Sequence, residues 1–369
     1  MITRHVRSVV ALALAAASLS LVAMPSHVSA GSEIVNEIVP VGDNFRVFIT
    51  PAFGKYPKPL PVTMTPAEIR VIKNTQRVVA PIPRKVPATR RVVKWFIEPS
   101  AVDSRTLKLA RRSLEATQIL FEAIGIYDAQ ATSIVVGRTQ KYISNTLATL
   151  GCVPNLTATA GQFLMAASRC NDSVIVLNLT GMLFLTSASQ KITAEMESRP
   201  EPLMASMNYL VVDRNISALS HEWAHSVRAL MSGGHVPIGE PAWMREGFAE
   251  LIAGLSRVKA FPLAMQYSDF HAIKLHLFTN WQSRCQGQLI EYKFVTELGG
   301  CEYEIGLMAV ELLLSDFGGL TKLMQLYRDT RVLVDFEASF QTNYGISWAD
   351  FKVLAQKYID DIDAIPFRT

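Results

Sequence analysis

Apolar residues recur along this chain with two different periods. Between positions 104 and 125, Leu107, Ala110, Leu114, Phe121 and Ile124 return at helical spacing, which gathers them onto one face. Asp103 or Ser104 can cap that helix and Gly125 can end it. Short β-branched runs at 92–98, 133–136 and 173–180 predict strands, with SVIVLNLT at 173–180 the strongest of them. A second helix is predicted over 140–150, so the order is strand, helix, strand, helix, strand. From about Asp213 the pattern is mostly helical, and no internal repeat is visible. The fold class this predicts is α+β: a small mixed sheet with helices, followed by a mostly helical C-terminal half.

The N-terminal third breaks the pattern twice. Residues 1–30 carry Arg4 and Arg7, an apolar run over 9–24, and small residues Val28 and Ala30 before Gly31, which together predict a signal peptide. Residues 31–91 hold nine of the 18 prolines and a basic stretch around Arg84, Lys85, Arg90 and Arg91. They are expected to form an extended arm wrapping the body, or a pro-segment, with a strand over 44–50. The globular domain is then 92–369.

Composition narrows the function. Of 369 residues, 49% are hydrophobic and 18% charged, which excludes wholesale disorder. The predicted signal removes two arginines and no acid, lowering the formal charge from +4 to +2. That balance gives no support to nucleic-acid binding. No later stretch has the run of about 18 apolar residues that a membrane span needs. The expected location is secreted or in the cell envelope, and the oligomeric state is left open. Cys152, Cys170, Cys285 and Cys301 all follow the predicted signal, and an even count in an oxidising compartment argues for two disulfides. Three connectivities are open, of which the local pairs Cys152–Cys170 and Cys285–Cys301 are the simplest.

The chemistry concentrates at His221-Glu222-Trp223-Ala224-His225. Two histidines four residues apart on a helix project from one face and can bind one zinc ion, with Glu222 placed to act as general base. Asp213 or Asn215 can cap that helix, Gly233-Gly234 stops it, and Ile216, Leu219, Trp223 and Val227 supply a buried side. A third ligand is available downstream in Trp243-Met244-Arg245-Glu246-Gly247-Phe248-Ala249-Glu250. Twenty residues separate His225 from Glu246, room for a loop and a returning helix that starts after Pro241. A His₂Glu set leaves one position for water, as catalytic zinc sites do.

HExxH followed about twenty residues later by W-x-x-E-G-F-A resembles the gluzincin metallopeptidases, the superfamily of thermolysin and the zinc aminopeptidases. The resemblance covers roughly residues 215–317. It implies a zincin-like domain, one Zn²⁺ bound by His221, His225 and Glu246, Glu222 as base, and a peptide or protein substrate. It also implies that Glu250, one turn beyond Glu246, orients His221, against the alternative of a solvated charge. Tyr303, which opens an amphipathic helix, is the first choice for the oxyanion donor, with His271 and His276 behind it. His235 is expected at the rim, and Trp223 and Trp243 in the core. The strand at 173–180 is expected to line the cleft and pair with substrate. The G-x-M-E-N element of the gluzincin aminopeptidases is absent, which favours endopeptidase cleavage. The alternative reading is a catalytically inactive zincin-like binding protein of the envelope. No G-x-S-x-G elbow supports a serine hydrolase.

Overall fold

The computed structural model describes residues 34–36, 49–51, 64–79, 93–102, 104–126, 132–152, 164–167, 173–179, 207–234, 236–261, 267–268, 270–271, 274 and 301–364. The predicted signal, Cys170, Cys285, His235 and His276 lie outside them. Near the N-terminus, β1 (Ile34–Asn36) pairs antiparallel with β2 (Ile49–Pro51), at the end of the run predicted as a strand.

Residues 66–79 depart from the extended arm that their proline-rich surroundings suggest. They form helix α1 (Pro66–Val79), because Thr65 and Glu68 build a capping box. The Glu68 N–H donates to Thr65 Oγ1 at 3.1 Å, and the Thr65 N–H donates to Glu68 Oε2 at 2.7 Å. Val71 and Thr75 are fully buried, so this helix belongs to the body of the fold.

The second sheet has the order β3 (Val93–Ile97), β4 (Thr132–Gly137), β6 (Ser173–Asn178), β5 (Leu164–Ala167). The first three are parallel, and β5 runs antiparallel beside β6. Strand period two divides the core. Ile134, Val136, Ile175 and Leu177 face the main core, while Val135, Val174 and Val176 pack with Ile143 and Leu147 of α3 (Gln140–Thr149). The sheet is therefore covered on both faces. Helix α2 (Arg105–Glu122) is capped by Ser104, whose Oγ accepts from the Leu107 N–H at 3.4 Å. Gly125, with φ of +76°, supplies the left-handed residue that turns the chain afterwards.

Among the described residues six further helices follow: α4 (Met207–Met231), α5 (Ala242–Ala260), α6 (Cys301–Phe317), α7 (Gly319–Leu333), α8 (Phe336–Tyr344) and α9 (Trp348–Asp363). The α+β class with a small mixed sheet and a largely helical second half is thus what the chain adopts. Two expectations need correction. Helix α4 begins at Met207, so Asp213 and Asn215 lie within it and not at its start. Strand β6 is internal, and the antiparallel edge strand is β5. Among the described residues no cysteine is free, and buried Cys152 is disulfide-bonded. The predicted pairings themselves involve cysteines outside the described residues or side chains. No described helix is long and apolar enough to cross a membrane.

Candidate metal centre

Helices α4 and α5 are held in a fixed relation by what their sequences bury. Leu219, Trp223 and Val227 give α4 an apolar flank that sits in the main core, and α4 packs on α2, on α5 and on strands β5 and β6. Gly233 and Gly234, with φ of +82° and +88°, end it, and the Gly234 N–H donates to the Ala229 carbonyl at 2.7 Å. The loop back to α5 is tied by a buried pair, Arg228 Nη1 donating to Glu240 Oε2 at 2.6 Å. Tyr327 of α7 donates to Glu240 Oε1 at 3.0 Å.

Helix α5 is buried almost all round, and Trp243 stacks on Trp348 of α9 with ring centroids 5.4 Å apart. Its contact with α6 is closer than side chains allow. A Cβ on Gly247 would lie 2.1 Å from the Gly306 carbonyl carbon, and one on Gly306 would lie 2.0 Å from the Trp243 oxygen. Glycine at both positions lets the backbones touch. Trp223 and Trp243 are both core residues, as expected.

This frame brings three ligand atoms around one point. His221 Nε2 and His225 Nε2 are 3.1 Å apart, His225 Nε2 is 3.2 Å from Glu246 Oε2, and His221 Nε2 is 3.3 Å from the same oxygen. His221 and Glu246 are buried, and His225 is half-buried. Tetrahedral zinc with bonds of about 2.0–2.1 Å sets its ligand atoms roughly 3.4 Å apart, so this triangle is of the right size. The donor set fits as well, since two imidazole nitrogens and a carboxylate suit a borderline divalent cation. A buried His₂Glu group able to hold a metal ion is therefore present.

The electrostatics point the same way. Two imidazole lone pairs aimed at one point repel unless a cation lies between them. Burial works against charge on His221, yet the Glu246 and Glu250 carboxylates beside it push its pKa up to about 10. Burial likewise works to raise the Glu246 carboxyl, but its bonds to His221 and His225 hold it far below the usual carboxylate range. The pocket draws positive charge to its centre, and a proton and a metal ion compete for the same place.

The surrounding residues sort the remaining expectations. Glu250 is not a solvated helix charge. Its side chain is 16% exposed, and Oε1 lies 3.0 Å from His221 Nδ1, a contact without hydrogen-bond alignment. Glu222 is half-buried beside His221 and close enough for its charge to act on that ring. Tyr303 begins α6 with its ring 5.8 Å, centroid to centroid, from that of His221. His271 is placed elsewhere. It is buried between Glu311 and Glu68, 2.8 and 3.4 Å from its two ring nitrogens, and cannot serve as an oxyanion donor.

Two cations at the site escape a sequence reading. Arg245 Nε lies 3.3 Å from Glu246 Oε1, and its place within the W-x-x-E-G-F-A run was the available signal. Lys274 pairs with Glu250 across 24 residues, and nothing local in the sequence marks it. Comparison with family models, curated proteins and solved structures finds no match for the chain.

Proposed function

We propose that this chain is an exported zinc-dependent peptidase that hydrolyses peptide bonds, cleaving within chains rather than at their ends. One observation carries the reading: His221, His225 and Glu246 converge to within 3.1–3.3 Å, with a glutamate interposed between the two histidines. A divalent cation held there supplies a Lewis acid beside a carbonyl and lowers the pKa of nearby water.

The chain's own residues do the rest. Glu222 takes the proton of the attacking water and delivers it to the leaving amine. The Tyr303 phenol donates a hydrogen bond to the oxygen on which negative charge develops. Glu250 orients His221 through Nδ1, leaving Nε2 free to ligate. Strand β5, the edge of the described sheet, lies against α4 and offers backbone donors and acceptors to an extended peptide. Without a G-x-M-E-N element, nothing in the sequence marks a site for a free substrate amine, which supports internal cleavage.

The test starts with metal content. Wild-type protein should carry about one zinc per chain, and Glu246→Ala should lose it or hold it far more weakly. A peptide-library digest then compares wild type with Glu222→Gln. A wild type that refuses zinc when the metal is supplied sinks the peptidase. Zinc bound without cleavage of any peptide favours the envelope binding protein instead.

A further inference from the structure

Beyond the triad lies a chain of contacts that leads away from it. Glu250 faces His221 Nδ1 with one carboxylate oxygen, and its other oxygen accepts from Lys274 Nζ. Both side chains of that pair are 16% exposed, so the lysine is shielded where its charge acts. The Lys274 ammonium also lies 5.7 Å from the centre of the Phe270 ring. Phe270 in turn is seated against Gly254 of α5, where a Cβ would come within 2.2 Å of the ring. One turn of α5 beyond Glu250, a missing side chain thus makes room for the ring that Lys274 approaches.

The same segment is anchored from the far side. Tyr267 donates to Glu311 Oε1, His271 Nδ1 lies 2.8 Å from Glu311 Oε2, and His271 Nε2 lies 3.4 Å from Glu68 Oε1 of α1. Tyr267, Phe270 and His271 are each at most 2% exposed. Tyr267, Phe270 and His271 are therefore gripped by α1, α5 and α6 together, and Lys274, close over the Phe270 ring, meets Glu250 beside them.

We propose that Lys274 is a positioning residue for the metal centre, acting through Glu250 on His221. An unpaired carboxylate in that place can rotate, and its rotation frees the His221 ring. With Lys274 in place, Glu250 is fixed, and Nδ1 of His221 is held so that Nε2 faces Glu246. Loss of an outer partner of this kind typically costs about 10- to 100-fold in metal affinity.

The inference rests on the His₂Glu reading, and one titration separates the two. Zinc affinity is measured by chelator competition on the full chain for wild type, Lys274→Met, Lys274→Arg and Glu246→Ala, with cobalt(II) absorption as a second readout. Lys274→Met should bind zinc about 10- to 100-fold more weakly and broaden the cobalt spectrum, and Lys274→Arg should restore both. Unfolding of the metal-free proteins is followed in parallel. If Lys274→Met binds zinc like wild type, or loses stability without losing affinity, Lys274 is only a packing residue. If wild type itself binds no zinc, the metal centre falls and Lys274 falls with it.

Discussion

The two residues proposed to carry the chemistry can be separated from those that could hold the metal. Glu222 and Tyr303 are absent from the ligand triangle, so changing them should spare zinc binding. Glu222→Gln keeps the shape and removes the proposed base. Peptide cleavage should fall about 10²- to 10⁴-fold with zinc content unchanged, measured on one fluorogenic peptide. Loss of zinc in this variant would instead make Glu222 a determinant of the site. Tyr303→Phe removes one donor next to a ring it already contacts. Here kcat should drop about 10²- to 10³-fold with KM little changed. An unchanged kcat would leave Tyr303 as packing against His221.

At this scale much was legible in the sequence, for a definite reason. His221, Glu222 and His225 are bound together by helical geometry alone, and Glu246 with Glu250 repeats the same i, i+4 logic on the next helix. Local periodicity determines which face each residue takes. Lys274 was not legible, because its partner is 24 residues away and no spacing rule connects them. Glu68 and Glu311 reach His271 over 203 and 40 residues, again with no local trace.

Among the elements, the crossing of α5 and α6 is the most exacting. Gly247 and Gly306 meet backbone to backbone, while Glu246 precedes the first and Tyr303 lies one turn before the second. Any separation of the helices moves a ligand and the proposed oxyanion donor at once. Gly306→Ala places a methyl group 2.0 Å from the Trp243 carbonyl oxygen, a clash no rotamer relieves. Destabilisation of about 3 kcal/mol is expected in denaturant unfolding, together with weaker zinc binding. A stability change well under 1 kcal/mol with full zinc affinity would show that the helices part freely. Two other elements show why periodicity alone fell short. Helix α1 was hidden by averaging over a proline-rich region, although Thr65-Pro66-Ala67-Glu68 is a capping box with proline at the first helical position. Strand β5, Leu-Met-Ala-Ala, has little intrinsic β preference and exists through its register with β6.

Over the whole molecule, the helix α1 and the half that holds the His₂Glu group are joined by charges that avoid water. His271 lies between Glu311 of α6 and Glu68 of α1, with Tyr267 donating to the far side of Glu311. Burial alone would lower the His271 pKa, but the charge and hydrogen bond of Glu311, and then those of Glu68, push it up to about 9. Its unfolded value is near 6.5. Because the folded state holds the proton more tightly, the stabilisation is complete below about pH 6.5 and is lost as pH rises through about 9. His271→Gln removes the cation and leaves two buried carboxylates facing a neutral amide. Thermal unfolding of both proteins from pH 6 to 9.5 should show wild type well above the variant at the acid end, with the gap narrowing toward the alkaline end. Comparing the pair cancels the titration of His221, which both proteins share. A gap that stays constant over this range would mean that His271 is neutral in the fold, and that its charge does not help to hold α1 to α6.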